Sequence, residues 1–305
     1  MKISRFSQEE LITIDSYSKI AKSRSETHSN RDFWLSEINK FKSLLPSGKI
    51  IDLGCGNGRD APVLIDRGYQ YVGVDISGEM LELAREFAPG ALFLKGDIYD
   101  LDFPFGTFDG FWAPAVLLHM PKNKVAAVLK EISRITKRGG IGFFAMKEGQ
   151  GEKLIRKSEQ DKRFYAFYRQ GEFTDILEKS GFEVLKAYRD HKGTETVWII
   201  AFARNAGIYF KVLTQDLMSV ALLGAHSIKY KVGEWVYPGE SLSGHPRKGG
   251  GLHVCKTAGE AKQIKRYVKR KHDLSCRIFS CLIGSVLYEN DSRAKTDKVM
   301  LLEEI

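Results

Sequence analysis

The sequence is poor in cysteine: Cys55, Cys255, Cys276 and Cys281 are its four, and no C-x-x-C pair occurs among them. Neither a zinc knuckle nor a disulfide framework is indicated, and no metal site is expected. The opening stretch MKISRFSQEELITIDSYS has no apolar run fit for a signal peptide, and no later run is long enough to span a membrane. A cytoplasmic protein is the expectation. Acidic charge is also short: 38 Asp and Glu face 47 Lys and Arg, a net +9, which permits nucleic acid or acidic partners without requiring them. At 305 residues there is room for two domains, each with its own core.

Glycine, by contrast, is concentrated where a backbone has to come close to something. IIDLGCGNGRDA, residues 50 to 61, sets Gly54, Gly56 and Gly58 at alternate positions behind an apolar run. KIIDL is short and β-branched and reads as a buried parallel strand, and RDAPVLIDRG carries near-helical apolar spacing that closes on Gly68. A strand, a glycine loop and a helix in that order let a ligand rest on bare backbone N–H groups. YQYVGVDIS is a second buried strand, ending in Asp75 seventeen residues beyond Gly58, where a carboxylate can accept both hydroxyls of a ribose. The spacing is G-x-G-x-G rather than the G-x-G-x-x-G of a pyrophosphate cradle. Asp52, two residues before the first glycine, suits an amino group and would repel a pyrophosphate. Ribose, an ammonium group and no phosphate together describe S-adenosylmethionine. A Rossmann-type dehydrogenase or a degenerate binding module is the alternative reading of the loop.

Further along, ALFLKGD reads as a strand ending at Asp97 and FDGFWAP as the next, before AVLLHMPK. With these residues the chain resembles the class I S-adenosylmethionine-dependent methyltransferases, from about residue 14 to residue 205. It is most similar to bacterial members reading GRDA, LLHMPK, KEGQGE and RFYAFYRQGEF, which look like small-molecule enzymes. The resemblance implies an α/β, doubly wound, seven-stranded Rossmann-like sheet with S-adenosylmethionine as cofactor. It implies a cofactor site made of Tyr17, Asp52, Gly54, Cys55, Gly56, Asn57, Gly58, Asp75, Ile76, Asp97, Ile98, Trp112 and Ala113. Within that set Asp97 meets the adenine amino group, Tyr17 belongs to a helical cap, and the loop after FWAP lines the transfer site. No Pro-Cys pair is present to attack a pyrimidine ring carbon, and no (Asn/Asp)-Pro-Pro-aromatic stretch follows the fourth strand. These absences point toward a small-molecule acceptor; an RNA or nucleotide acceptor is the alternative.

Three segments are expected: a helical lead-in or cap over 1–48, the methyltransferase domain over 49–205, and a basic α+β accessory domain over 207–305. Residues 8 to 46 read as helix, broken near RSETHSN and stopped by Pro46; Tyr17 either caps the cofactor or simply packs there. KNKVAAVLKEISRIT presents Val125, Val128, Leu129, Ile132 and Ile135 on one face and ends at Gly139–Gly140. His119 is either the general base for an acceptor that must lose a proton or a histidine bracing its loop. The stretch after the fifth strand, KEGQGEKLIRKSEQDKRFYAFYRQ, reads as a substrate lid in which Lys147, Glu148, Tyr165 and Tyr168 hold the acceptor. A solvated loop with two core aromatics is the alternative there.

Residues 207–305 read as short strands with turns between and one helix, TAGEAKQIKRYVKRK, opened by a Thr257–Glu260 capping box. Its core stripe is Ala261, Ile264 and Val268, while Lys262, Lys265, Arg266, Lys269, Arg270 and Lys271 cover the remainder. The segment carries 16 basic and 10 acidic residues, so +6 of the +9 lies here. It resembles a small uncharacterised β-rich domain and, faintly, the ADP-ribosyltransferase folds, without their complete triad. The helix is either a phosphate-tracking surface for nucleic acid or the solvated face of a structural or dimerising domain.

Overall fold

The computed structural model describes residues 5–27, 30–220, 228–239, 251–290 and 292–305. They separate into two compact units, Met1–Asn205 and Ala206–Ile305.

The first unit opens with helices α1 (Gln8–Thr27) and α2 (Leu35–Leu44). Strands and helices then alternate as β1 (Gly48–Leu53), α3 (Ala61–Asp66), β2 (Tyr69–Asp75), α4 (Gly78–Phe87), β3 (Leu92–Lys95), β4 (Phe108–Pro114), α5 (Lys122–Ile135) and β5 (Thr136–Lys147). A hairpin of β6 (Glu152–Arg156) and β7 (Lys162–Ala166) follows, then α6 (Gln170–Lys179), β8 (Phe182–Asp190) and β9 (Trp198–Asn205). Seven strands form one sheet in the order β3-β2-β1-β4-β5-β9-β8, parallel as far as β5 and antiparallel at β9 and β8. The doubly wound expectation holds. Helices cover both faces of such a sheet, which is why GFWAP of β4, IGFFAM of β5 and WIIAFA of β9 read as apolar runs with no polar alternation.

Helix α5 buries Val125, Val128, Leu129, Ile132 and Ile135, the stripe its periodicity predicts. It stops at Ile135, however, ahead of the glycine pair. Gly139 and Gly140 lie inside β5, where the register against β4 slips between Phe108 and Gly110 and Gly139 takes φ +79°. Within the stretch 147–170, expected as a substrate lid or a solvated loop, Glu152–Ala166 is a two-stranded antiparallel hairpin rather than a loop.

Among its described residues the second unit is a sheet of seven antiparallel strands with one helix. In chain order these are β10 (Tyr209–Thr214), β11 (Trp235–Val236), β12 (Leu252–Cys255), α7 (Ala258–His272), β13 (Cys276–Ile283), β14 (Val286–Glu289), β15 (Arg293–Thr296) and β16 (Val299–Glu304). The sheet order is β11-β16-β13-β10-β12-β15-β14. The stretches HSIKYKVGEWVYP and GLHVCK are both expected as short strands; of the first only Trp235–Val236 is strand and its first two residues lie outside the described ones, while the second forms β12. Thr257 and Glu260 close the expected capping box on α7. Ala261 and Val268 are buried, and the six basic residues of the helix are exposed.

Each unit has its own apolar core. A polypeptide of residues 1–205 is therefore expected to fold alone, with one cooperative denaturation transition and the near-ultraviolet dichroism of packed aromatics. Aggregation, or loss of that signal, would place part of the second unit in the first unit's core. Among the described residues no helix is long and apolar enough to cross a membrane.

Candidate functional site

Strand order reverses at β1, whose neighbours β2 and β4 lead the chain outward in opposite directions. At such a switch point the loops beyond the carboxyl ends of the strands diverge and leave a crevice. A cavity of about 220 Å³ lies there, walled by the glycine loop, the ends of β2 and β3, the turn after β4 and one face of α1.

The glycines take left-handed backbone, with φ +67° at Gly54 and +54° at Gly56, which side chains other than glycine's adopt only under strain. A Cβ on Gly54 would lie 2.5 Å from Val116 Cγ2. The loop's N–H groups are already engaged: Gly54 and Cys55 donate to Val74 O at 2.8 and 3.1 Å, Gly56 to Asp75 Oδ2 at 2.8 Å, and Gly58 to Cys55 O at 3.0 Å. This corrects the picture of a ligand resting on bare N–H groups. The first three donors hold the loop to β2 and the fourth closes the loop on itself, so a phosphate would find none of them free.

Of the five carboxylates along the wall, Glu10, Asp52, Asp60, Asp75 and Asp97, three stand at the ends of β1, β2 and β3. Asp52, at the end of β1, is buried; its Oδ2 accepts from Tyr71 OH at 2.7 Å, while Oδ1 has no hydrogen-bond donor among the described residues. Burial and then the nearby Asp60 push its carboxyl well above the usual range, against the Tyr71 hydrogen bond. Asp75 accepts from Ser77 N at 2.9 Å through Oδ1 and from Gly56 N through Oδ2. Burial raises its pKa and those backbone donors oppose the rise. Each oxygen keeps a lone pair for a ligand hydroxyl. Asp97 accepts from Tyr99 N at 2.9 Å and pairs with Arg5 at 3.3 Å.

Helix α1 crosses the cavity and ties its sides together. Ser25 Oγ accepts from Asn57 Nδ2 at 3.1 Å, and Ser18 Oγ meets Ser77 Oγ at 3.3 Å. On the other side Thr13 Oγ1 accepts from Phe164 N at 2.8 Å, and Ser16 Oγ donates to Lys162 O at 2.7 Å. Tyr17, on the same face, reaches His119. The His119 ring has Phe164 O 2.7 Å from Nδ1, and a carbonyl only accepts, so Nδ1 carries the proton. Nε2 therefore accepts from Tyr17 OH at 2.8 Å. Burial pushes the His119 pKa down to about 3, helped by Arg163, Lys147 and Arg24 and opposed by the bond to Phe164. His119 is a neutral imidazole with both nitrogens engaged.

Of the residues expected around a cofactor, Tyr17, Asp52, Gly54, Cys55, Gly56, Asn57, Asp75, Ile76, Asp97 and Ile98 line the cavity. Gly58, Trp112 and Ala113 do not. Trp112 is fully buried, stacked on Phe143 at 3.9 Å with Nε1 donating to Asp60 Oδ2 at 3.0 Å, so its side chain is core. Of those expected around an acceptor, only His119 lines the cavity. Tyr165 packs behind it at 4.8 Å between ring centroids, with Lys147 Nζ 4.4 Å over the Tyr165 ring. Glu148 is turned to Arg189 at 3.2 Å, and Tyr168 is fully buried against Phe173. Sequence reasoning missed Arg24 and Arg163. Arg24 lines the cavity seven residues beyond Tyr17, a spacing that returns to the same helix face, but it falls where a helix break is expected.

Comparison with known proteins agrees with this geometry. Residues 51–144 match a family model described as a methyltransferase domain. An uncharacterized protein of Methanocaldococcus jannaschii is 31% identical over 164 residues, covering 52% of this chain and 76% of that protein. A trans-aconitate 2-methyltransferase of Azoarcus sp. is 35% identical over 114 residues, covering 36% of this chain and 44% of that protein. The chain thus spans about three quarters of the first relative and under half of the second. Among solved structures, a 1,6-didemethyltoxoflavin-N1-methyltransferase of Burkholderia thailandensis, with its substrate and S-adenosylhomocysteine bound, superposes with TM-score 0.56. It is 17% identical and covers 66% of this chain and 91% of that one, a likeness that shows the shared fold.

Proposed function

The chain belongs to the class I S-adenosylmethionine-dependent methyltransferases, and we propose that it methylates a small-molecule acceptor bound beside Tyr17 and His119. The observation that carries this reading is Asp52, a buried carboxylate on the cavity wall with one oxygen lacking a donor, suited to the cofactor's ammonium group. Asp75 would accept the ribose hydroxyls and Asp97 the adenine amino group, and Phe6, Ile98 and Met80, which line the same cavity, would offer the base apolar surface. When bound, the cofactor supplies an electrophilic methyl group on a sulfonium whose departure needs no proton. What remains for the chain is positioning and exclusion of water, which can supply about 7–11 kcal/mol. α1, laid over the glycine loop and β7, is suited to both. The name of the Azoarcus relative favours a small acceptor.

Full-length protein incubated with methyl-labelled cofactor should pass label to a pool of small metabolites and not to RNA. Label in RNA would favour the nucleic-acid acceptor, and label in neither would contradict methyl transfer. For the second unit we propose a structural or dimerising role with a solvated basic face. Lys269 of α7 pairs with Asp273 at 2.6 Å, and the helix's one exposed aromatic, Tyr267, has Lys271 5.4 Å over its ring. Retention on RNA that weakens steeply with salt would overturn that assignment.

We assign His119 to positioning rather than base chemistry, because its one lone pair faces Tyr17 OH. His119→Gln is expected to keep the methyl-transfer rate within about tenfold, short of the 10²–10⁴-fold loss of a general base. A rate loss in that larger range, with an acid limb in wild type that the variant lacks, would restore it as the base. Stability carries a separate signature. The folded pKa of His119 is depressed, so the unfolded chain takes up a proton that the folded one refuses. Its contribution is therefore present above the unfolded value of about 6.5 and lost as pH falls toward 3. Denaturation midpoints of wild type and His119→Gln should accordingly converge on acidification.

A further inference from the structure

Resting on the methyltransferase reading, we propose that the acceptor carries an anionic oxyacid group, a carboxylate or a phosphate, drawn to the α1–β7 end of the cavity by Arg24 on its wall and by Lys147 and Arg163 packed behind the Tyr17–His119–Tyr165 cluster. Arg24 lines the cavity, and its guanidinium makes no hydrogen bond or ion pair among the described residues. Lys147, at the end of β5, lies 4.4 Å over the Tyr165 ring and 5.9 Å over Trp198, again with no carboxylate within ion-pair reach among the described residues. Arg163 is 3% exposed and reaches Tyr17 OH at 3.3 Å. The one carboxylate in this group, Asp161, is taken by Arg163 through two contacts of 2.6 and 2.9 Å. Three cations thus surround the Tyr17–His119–Tyr165 cluster with one anion between them.

Such an arrangement is costly without a ligand. Like charges withdrawn from water repel, and Lys147 shows it: burial, then Arg163, Lys157 and Arg24, press its pKa down to about 8. Aromatic faces under Lys147 repay part of that cost but neutralise no charge. A guanidinium without a partner offers a planar fork that matches carboxylate or phosphate oxygens. The rest of the wall is acidic on balance: Glu10, Asp52, Asp60, Asp75 and Asp97 stand against Arg59, which Asp60 pairs at 2.6 Å. The charges are divided: acids where a cationic cofactor sits, cations where the acceptor sits. Bound there, the anionic group is a handle and need not be the atom methylated.

The test uses the full-length chain saturated with S-adenosylhomocysteine, titrated calorimetrically with succinate, citrate, phosphate and the neutral analogue succinamide. At least one anion should bind and succinamide should not, and the anion preferred tells carboxylate from phosphate. Arg24→Gln and Lys147→Gln should each weaken that anion by about tenfold or more, Arg24→Lys by less, with S-adenosylhomocysteine affinity unchanged. Binding should also raise the titration of Lys147, followed by NMR of its side chain. Failure of every anion to bind better than succinamide, or an anion affinity indifferent to both variants, overturns the proposal while cofactor binding stands. A chain that does not bind S-adenosylhomocysteine overturns the methyltransferase reading and this proposal with it.

Discussion

Asp75→Ala is expected to lower affinity for S-adenosylhomocysteine by about 10- to 100-fold. Two losses combine. The ligand loses an ionised acceptor for its ribose, and hydrogen bonds to charged groups contribute about 1.5–3 kcal/mol. The glycine loop also loses its tie to β2, because Gly56 N and Ser77 N both donate to this carboxylate, at 2.8 and 2.9 Å. Asp75→Asn should be little better than Ala. An amide offers only one acceptor oxygen, and its NH2 would face a backbone N–H donor. Calorimetric titration of the three proteins checks this. Affinity within threefold of wild type in either variant would remove Asp75 from the cofactor site.

Asp52→Asn should do two opposite things: strengthen the ligand-free fold and weaken cofactor binding by at least about tenfold. The carboxylate is buried with Oδ1 unpartnered and with Asp60 nearby, so its charged form is costly in the folded chain. A folded pKa raised above the unfolded one means the native state binds the extra proton. This group's penalty is thus absent below the unfolded carboxylate pKa of about 4 and grows as pH rises toward the folded value. An amide removes that pH-dependent penalty and can keep the bond from Tyr71. With it goes the attraction for the ligand's ammonium group. Thermal denaturation of both proteins from acid to neutral pH, without and with S-adenosylhomocysteine, measures both effects. A variant less stable than wild type at neutral pH, or one binding equally well, would refute the role of Asp52.

Much of the cofactor wall was legible because it is local. A β-branched run, alternating glycines and an acid at the next strand end place Asp52, Gly54 and Asp75 within one βαβ unit, and parallel pairing of β1 with β2 brings them together. Trp112 was misread because β4 is buried on both faces: without polar alternation, the sequence does not tell which face turns to the cavity. The satisfied N–H groups were invisible, since their acceptors sit on Val74 and Asp75 of another strand. The hairpin β6–β7 hides in a run of Lys, Arg and Glu that masks its period of two, and the short polar β15 was missed for the same reason. Arg24 and Arg163 come together beside Tyr17 only because α1 docks along β7 through Thr13 and Ser16. That docking joins residues far apart in the chain and leaves no local pattern.

The most direct test of the central claim is a calorimetric titration of S-adenosylhomocysteine into the full-length chain, with NADH as the competing dinucleotide. One equivalent of S-adenosylhomocysteine should bind per chain in the micromolar range and NADH should not bind, since the loop offers a pyrophosphate no free N–H among the four described. Binding of NADH in preference to S-adenosylhomocysteine, or no binding of either, would contradict the assignment.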